Sequence, residues 1–139
     1  MNVYLCYTLR NLVLTAVLGI GFTSSALAQL RERALFVDLT SKEATDLGTL
    51  GGDFSQAFGI NDAGQVVGFS GTAPGDWRAF ITGPNGVGMT DLGTLPGYTE
   101  SSAQGINDAG QVVGYSTTAT GTAHAFITEI GRASCRERV

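Results

Sequence analysis

The sequence has little of the chemistry on which most enzyme sites depend. It contains one histidine, one tryptophan and two cysteines, and only 14% of its residues are charged. Both cysteines lie near the ends of the chain, Cys6 in an apolar leader and Cys135 in an atypical tail. Residues 29–128 therefore lack a disulfide, a thiol nucleophile and a cysteine-based metal site. We expect neither a metal nor a cofactor.

Basic side chains are also scarce in the central part of the chain. Residues 29–128 carry ten acidic and four basic side chains, which gives a net charge of −6. Because proteins bind phosphate backbones through clustered lysine and arginine, this balance argues against a nucleic-acid partner.

Only one long apolar run is present, the uncharged segment from Leu12 to Phe22. It is shorter than the ~20 residues that a membrane-spanning helix needs. Arg10 precedes it, and Ala26 and Ala28 form a small-x-small cleavage pattern. We predict that residues 1–28 are a secretory signal peptide and that the mature chain begins at Gln29. The protein is then secreted, periplasmic or on the cell surface, and a retained membrane anchor is the alternative.

The tail at residues 129–139, EIGRASCRERV, differs sharply in composition from everything before it. It matches the in-frame translation of a common DNA-sequencing adapter, so we interpret it as non-native and exclude it from the fold. A natural basic tail is the alternative. On the adapter interpretation the native protein continues beyond Thr128, and any C-terminal membrane anchor lies in that missing part.

The central part of the chain is repetitive. The ten residues GINDAGQVVG occur at 59–68 and again at 105–114. Aligning 46–82 with 91–128, with Glu100 as an inserted residue, gives 26 identities in 37 positions. Self-similarity at a period of 45 to 46 residues is typical of solenoids, propellers and arrays. We divide the chain into an N-terminal segment (29–45, with one possible strand at 34–39), unit 1 (46–90) and a truncated unit 2 (91–128).

Each unit is predicted to contain four short antiparallel strands, which in unit 1 lie at 55–61, 65–70, 78–82 and 88–95. No long stretch has helical spacing of apolar residues, and each glycine inside a helix would cost ~1 kcal/mol. The adjacent pairs Val66-Val67 and Phe80-Ile81 place apolar side chains on both faces of the sheet, so we expect both faces to be covered. Ile60 is expected to lie on the face opposite Ala57 and Gly59. The predicted fold is an all-β array of four-stranded units of about 46 residues, interpreted as blades of an incomplete β-propeller.

The repeated stretch has the residues of a hairpin turn. Asn and Asp bond their own backbone, and glycine accepts the positive φ that closes the turn. A calcium loop is disfavoured because calcium needs six to eight oxygens. Asp46 and Asp91 are expected to cap a strand or bond a neighbouring loop, and Pro84, Asn85 and Gly86 predict a second turn. We therefore assign a structural turn role to Asn61, Asp62, Gly64, Asn107, Asp108 and Gly110.

The paired motifs DLGTLGG (46–52), A-x-GINDAGQVVG-x-S (57–70) and His124-Ala125-Phe126 resemble the HAF-repeat family of bacterial extracellular proteins. The resemblance covers about residues 46–128. It implies export and propeller-like repeats, and it supplies no defined activity. Arg78 stands where the family has histidine, and Ile127-Thr128 stands where the family usually continues Leu-Trp.

Three residues remain as candidates for ligand contact. Trp77 is placed on the variable loop 71–78, where an exposed aromatic side chain can stack on a sugar or a partner. Arg78 and His124 begin the third strand of each unit. No carboxylate and nucleophile accompany His124 at a spacing that indicates catalysis.

From these observations we predict a non-catalytic, extracellular or surface module with a binding or structural role. Its ligand or surface partner is not identified by the sequence, and its specificity is expected in the loops 71–78 and 117–123. The alternative is a propeller-type hydrolase or lyase whose active site lies in further blades. The complete gene would distinguish the module from the enzyme. A run of similar units favours the module, and a non-repeat domain with clustered acids, histidine or serine favours the enzyme.

Overall fold

A computed structural model of the chain describes residues 4–8, 32–128 and 135–136. The described residues are all-β, without α-helix, and form three antiparallel sheets, none of them closed. The predicted all-β class is therefore confirmed. The predicted cleavage site and most of the C-terminal tail lie outside the described residues.

Eleven strands make up the three sheets. In chain order they are β1 (Tyr4–Thr8), β2 (Ala34–Asp38), β3 (Glu43–Asp46), β4 (Gly51–Ile60), β5 (Val66–Thr72), β6 (Trp77–Thr82), β7 (Met89–Gly93), β8 (Glu100–Ile106), β9 (Val112–Thr117), β10 (Ala123–Thr128) and β11 (Cys135–Arg136). We name the sheets A (β1-β2-β3), B (β4-β5-β6-β7) and C (β11-β10-β9-β8). Within the described range 32–128, strands that are neighbours in a sheet follow one another along the chain and are joined by hairpins or short loops.

Sheet B contains the four strands predicted for unit 1, in the predicted antiparallel order. The predicted boundary between the units, at 90/91, falls inside β7, whose last residue is Gly93. Sheet A lies partly outside the predicted repeat units. Its strand β1 belongs to the predicted signal peptide and pairs with β2, so removal of residues 1–28 would leave that edge of β2 open.

The segment 29–45, in which one strand was predicted, contains the strand β2 and most of a second, β3. All four residues of β3 are exposed. A strand without a buried face shows no alternation of apolar and polar residues, so β3 could not be predicted from hydrophobic periodicity. The outer strand of sheet C, β11, is also short and consists of two residues of the predicted adapter tail.

Two apolar cores hold the three sheets together. The core between sheets A and B contains Ala34, Phe36, Leu47, Val66 and Phe80. The core between sheets B and C contains Val67, Ala79, Leu92, Leu95, Ala103, Val112 and Phe126. Four members of the first core have a counterpart in the second that lies 45 or 46 residues later: Ala34 and Ala79, Leu47 and Leu92, Val66 and Val112, Phe80 and Phe126. The same side chains thus bury the apolar face at both junctions.

A buried serine ties each pair of sheets together. The Ser55 hydroxyl accepts the Ala34 N–H of sheet A at 3.0 Å and donates to the Gly48 carbonyl at 2.7 Å. The Ser101 hydroxyl accepts the Ala79 N–H at 2.9 Å and donates to the Gly93 carbonyl at 2.5 Å. A buried backbone group needs a hydrogen-bond partner, so this serine has the same structural task at both junctions.

A β-bulge between Ala57 and Gly59 reverses one predicted side-chain direction. Ala57 and Ile60 pack against the same core, although their spacing places them on opposite faces of a regular strand. The extra residue of the bulge shifts the alternation by one position. Gly59 then faces sheet C, where an added Cβ would lie 3.3 Å from the Gly105 Cα. The absence of a side chain at Gly59 therefore lets the two sheets approach closely.

The prediction that both faces are covered is confirmed for sheet B, while one face of sheet C is exposed in the described chain. Val66 and Val67 are both fully buried. Their counterparts in sheet C differ, because Val112 is buried and Val113 is 46% exposed. Sheet B lies between two other sheets, whereas no described strand covers the outer face of sheet C.

Candidate functional site

The residues assigned to a turn role lie at the tips of the first hairpins of sheets B and C. Asn61 accepts the Gln65 N–H at 3.0 Å through Oδ1 and donates to the Gln65 side chain at 2.9 Å. Asn107 makes the same two bonds to Gln111, both at 2.9 Å. Gly64 has a φ of +73° and Gly110 a φ of +79°, in the left-handed region that favours glycine.

These two turns also contact each other. The Asn61 Nδ2 donates to the Asn107 carbonyl at 3.2 Å, and the Asp62 N–H donates to the Asp108 carboxylate at 3.1 Å. Asn61 is buried, while Asn107, the corresponding residue of sheet C, is exposed. The turns therefore close each hairpin and join neighbouring sheets. Their polar side chains form hydrogen bonds within and between the turns.

The remaining repeated acids cap local backbone. The Asp46 carboxylate accepts the Gly48 N–H at 2.8 Å, and the Asp91 carboxylate accepts the Gly93 N–H at 2.7 Å. Asp46 also pairs with Arg33 at 3.3 Å. In the β2–β3 turn the Thr40 N–H donates to Asp38, which lowers the pKa of that carboxyl below its usual range. Among the described residues no group of three or more His, Cys, Asp or Glu side chains could hold a metal ion.

Arg78 and His124 occupy corresponding positions near the starts of β6 and β10, and the structure does not bring them together in one site. The His124 Nδ1 is hydrogen-bonded to the Tyr98 hydroxyl at 2.5 Å, and their ring centroids lie 5.5 Å apart. The Nε of Arg78 is buried without a hydrogen-bond partner among the described residues.

Trp77 is the first residue of β6, whereas the sequence placed it in a loop. The strand extends further than predicted because Trp77 pairs with Gly71, and the connecting loop shortens to 73–76. Its ring contacts Phe54 and Phe69 at centroid distances of 6.4 and 6.0 Å, with interplanar angles of 78° and 73°. Phe58 extends this aromatic cluster through Phe69, at 5.5 Å.

A groove of about 340 Å³ lies beside this cluster, between sheets B and C. Its volume falls at the lower end of the range of small-molecule sites. Sheet B supplies two aromatic side chains, and sheet C supplies a third ring, a carboxylate and two hydroxyl groups. The lining residues are Phe69, Trp77, Glu100, Ser102, Tyr115 and Thr117. Trp77 and Tyr115 are each 43% exposed, so both rings are accessible from solvent.

All six groove residues occupy positions that the internal repeat leaves different. In the alignment of the two units Phe69 is aligned with Tyr115, and Trp77 is aligned with Ala123. Ser102 is aligned with Gln56 and Thr117 with Gly71, while Glu100 is the inserted residue. The groove thus takes up four of the eleven mismatched positions and the inserted Glu100, while the turns, buried serines and most core residues are shared by both units.

Of the three candidates from the sequence, only Trp77 belongs to the groove. Thr117 lies in the predicted specificity segment 117–123, and the other four lining residues were missed because they come from β5, β8 and β9, which are distant along the chain. The signal that could have found them is the set of mismatched positions in the internal alignment. The predicted specificity segments 71–78 and 117–123 contribute Trp77 and Thr117, which lie in the strands β6 and β9, and the loops that remain at 73–76 and 118–122 contribute no lining residue.

No family model matches the chain, and no significant match exists among curated proteins or solved structures. The described part of the chain contains no helix with the length and apolar character needed to cross a membrane.

Proposed function

We propose that this chain is part of an exported bacterial repeat protein, with a non-catalytic binding or structural role outside the cell or at its surface. Its four-stranded sheets would be successive blades of a propeller-like array. The apolar segment followed by Ala26 and Ala28 supports export. The motif resemblance to HAF-repeat proteins supports both the bacterial extracellular location and the array.

The observation that carries this proposal is the reuse of one junction. Phe80 and Val66 bury the junction of sheets A and B, and Phe126 and Val112 bury the junction of sheets B and C. The side chains with which sheet B covers sheet C include Val67 and Ala79. Their counterparts in sheet C, Val113 and Ala125, are exposed. A further unit would cover them, because stacked repeats bury their faces against neighbours.

Adding one unit tests this proposal. We would append a second copy of residues 83–128 after Thr128 of chain 29–128, which continues the repeat in phase. Covering an exposed Val or Ile face adds about 1.5–3 kcal/mol per side chain that becomes fully buried. We expect the thermal midpoint to rise by several degrees, since 1 kcal/mol shifts Tm by about 4–8 °C in chains of this size.

Two variants of the extended chain serve as controls, each with a single aspartate: one at the added residue that corresponds to Val113, and one at Val113 itself. The appended residue that corresponds to Val113 lies on the new outer face, so aspartate there should leave the gain in Tm intact. Aspartate at Val113 itself, which would lie inside the new junction, should abolish the gain. An unchanged Tm after adding the unit would exclude the array.

The alternative function is a propeller-type hydrolase or lyase with an active site in further blades. The described residues support it only through a groove of ligand size, since His124 is paired with Tyr98 and lies apart from the groove residues. The complete gene distinguishes the two. Further similar units favour the module, and a non-repeat domain with clustered acids, histidine or serine favours the enzyme.

A further inference from the structure

We propose that the groove between sheets B and C binds an organic cation through a quaternary ammonium or similarly methylated head group. The proposal rests on the binding role proposed above and assigns its ligand class. Three aromatic rings and one carboxylate line the groove, and none of the six lining residues is basic.

Two aromatic rings form adjoining walls of the groove. The Phe69 and Trp77 ring planes meet at 73° with centroids 6.0 Å apart, so their faces point in different directions. Phe54 contacts both rings from one side, at 5.9 and 6.4 Å, and restricts their movement. Tyr115 adds a ring from the other sheet. Cations are attracted to the faces of such rings, most strongly to tryptophan.

Glu100 gives the groove its charge. It is the one charged residue among the six that line the groove. No ion pair joins it to a basic side chain anywhere in the described residues, so its carboxylate is free to balance a bound positive charge. Glu100 is also the residue that the second unit inserts relative to the first.

The polar groups of the groove suit a cation better than a neutral sugar. An ionised carboxylate only accepts hydrogen bonds, and the lining contains no amide or guanidinium group to donate them. The hydrogen-bond donors of the lining are the hydroxyls of Ser102, Tyr115 and Thr117, and Ser102 keeps its O–H while it accepts the Gln104 side-chain amide at 2.8 Å. A methylated ammonium group needs none of these donors, and it gains an attraction to the Glu100 carboxylate that a neutral sugar lacks.

Choline is the probe, and the fluorescence of Trp77 reports its binding because this is the only tryptophan of the chain. The full chain would be titrated with choline and, separately, with 3,3-dimethylbutan-1-ol, which has the same shape without the charge. We expect a saturable change with choline, and binding of the alcohol weaker by about tenfold or more. Glucose serves as the neutral sugar and is expected to give no saturable change.

Two variants connect the signal to the groove. Glu100→Gln should weaken choline binding by about tenfold, because it removes the balancing charge and keeps the side-chain shape. Glu43→Gln makes the same change in an exposed strand of sheet A and should leave the affinity unchanged. Tyr115→Leu, which keeps apolar bulk without a ring face, should weaken choline binding and leave the circular dichroism spectrum unaltered.

Three results would overturn the cation assignment: equal binding of choline and the neutral alcohol, saturable binding of glucose without choline, or equal affinity in Glu100→Gln and the unsubstituted chain. Absence of any binding would also overturn it. These results are separable from the array proposal. A raised Tm on adding a unit together with no choline binding refutes the ligand class alone, and choline binding with an unchanged Tm refutes the array alone.

Discussion

Replacing Phe80 with alanine should lower the free energy of unfolding by about 3–5 kcal/mol, the range for a buried aromatic side chain. Phe80 is fully buried and packs in the core between sheets A and B. Its loss leaves a cavity that the facing sheet can fill only by shifting. Urea unfolding of chain 29–128, followed by circular dichroism, measures the change.

Val113→Ala is the control for this prediction. Val113 belongs to the same kind of apolar face but is exposed, so its truncation should change stability by no more than about 0.5 kcal/mol. Phe80→Leu provides a milder variant if Phe80→Ala does not fold, and it should lie between the two. Equal losses for Phe80→Ala and Val113→Ala would mean that the A–B junction does not carry the stability of the fold.

Gly64→Ala should lower the free energy of unfolding by more than Gly110→Ala does, although both glycines occupy the same position in the sequence repeat. Each has a positive φ, and an alanine in that region costs about 1–2 kcal/mol. An added Cβ at Gly64 would also lie 2.9 Å from the backbone nitrogen of Asn85, while at Gly110 its nearest neighbour is the Gln65 side chain at 3.6 Å. The close contact adds about 1–3 kcal/mol for Gly64 alone.

Urea unfolding of the two variants in the same chain measures this difference. Because the backbone penalty is common to both, the difference reports the packing of the first hairpin turn on the turn at Pro84–Gly86. That packing includes the Gly86 N–H bond to the Gly64 carbonyl at 2.9 Å. Equal costs would show that the two turns do not touch in solution, and no cost at either glycine would refute the positive φ.

The sequence was most informative where a local rule determines the structure. Turn chemistry predicted the hairpin around Gly64 and the left-handed Asn85 and Gly86, whose φ values are +56° and +71°. Apolar pairs such as Val66-Val67 predicted a sheet covered on both faces, which is how sheet B is packed. Short apolar segments separated by glycine-rich turns predicted the four antiparallel strands of sheet B.

The sequence was least informative where structure depends on neighbours. The exposed strand β3 has no buried face, and the bulge at Ala57–Gly59 changes side-chain direction without a distinctive residue. Ser55 and Ser101 resemble any strand serine until their contacts with the adjacent sheet are seen. The groove could not be predicted from spacing, because Phe69 and Tyr115 meet only when two sheets pack together.

We propose above that successive sheets reuse one junction and that a further unit covers the outer face of sheet C. Residues 29–128 contain no cysteine, so single cysteines at Val67 and Val113 give an unambiguous chemical test. Their rates of reaction with a thiol reagent would be measured in chain 29–128 and in the chain extended by residues 83–128. We expect slow labelling of Val67→Cys in both chains, and labelling of Val113→Cys that is fast in the short chain and slow in the extended one. Equally fast labelling of Val113→Cys in both chains would exclude a covering unit.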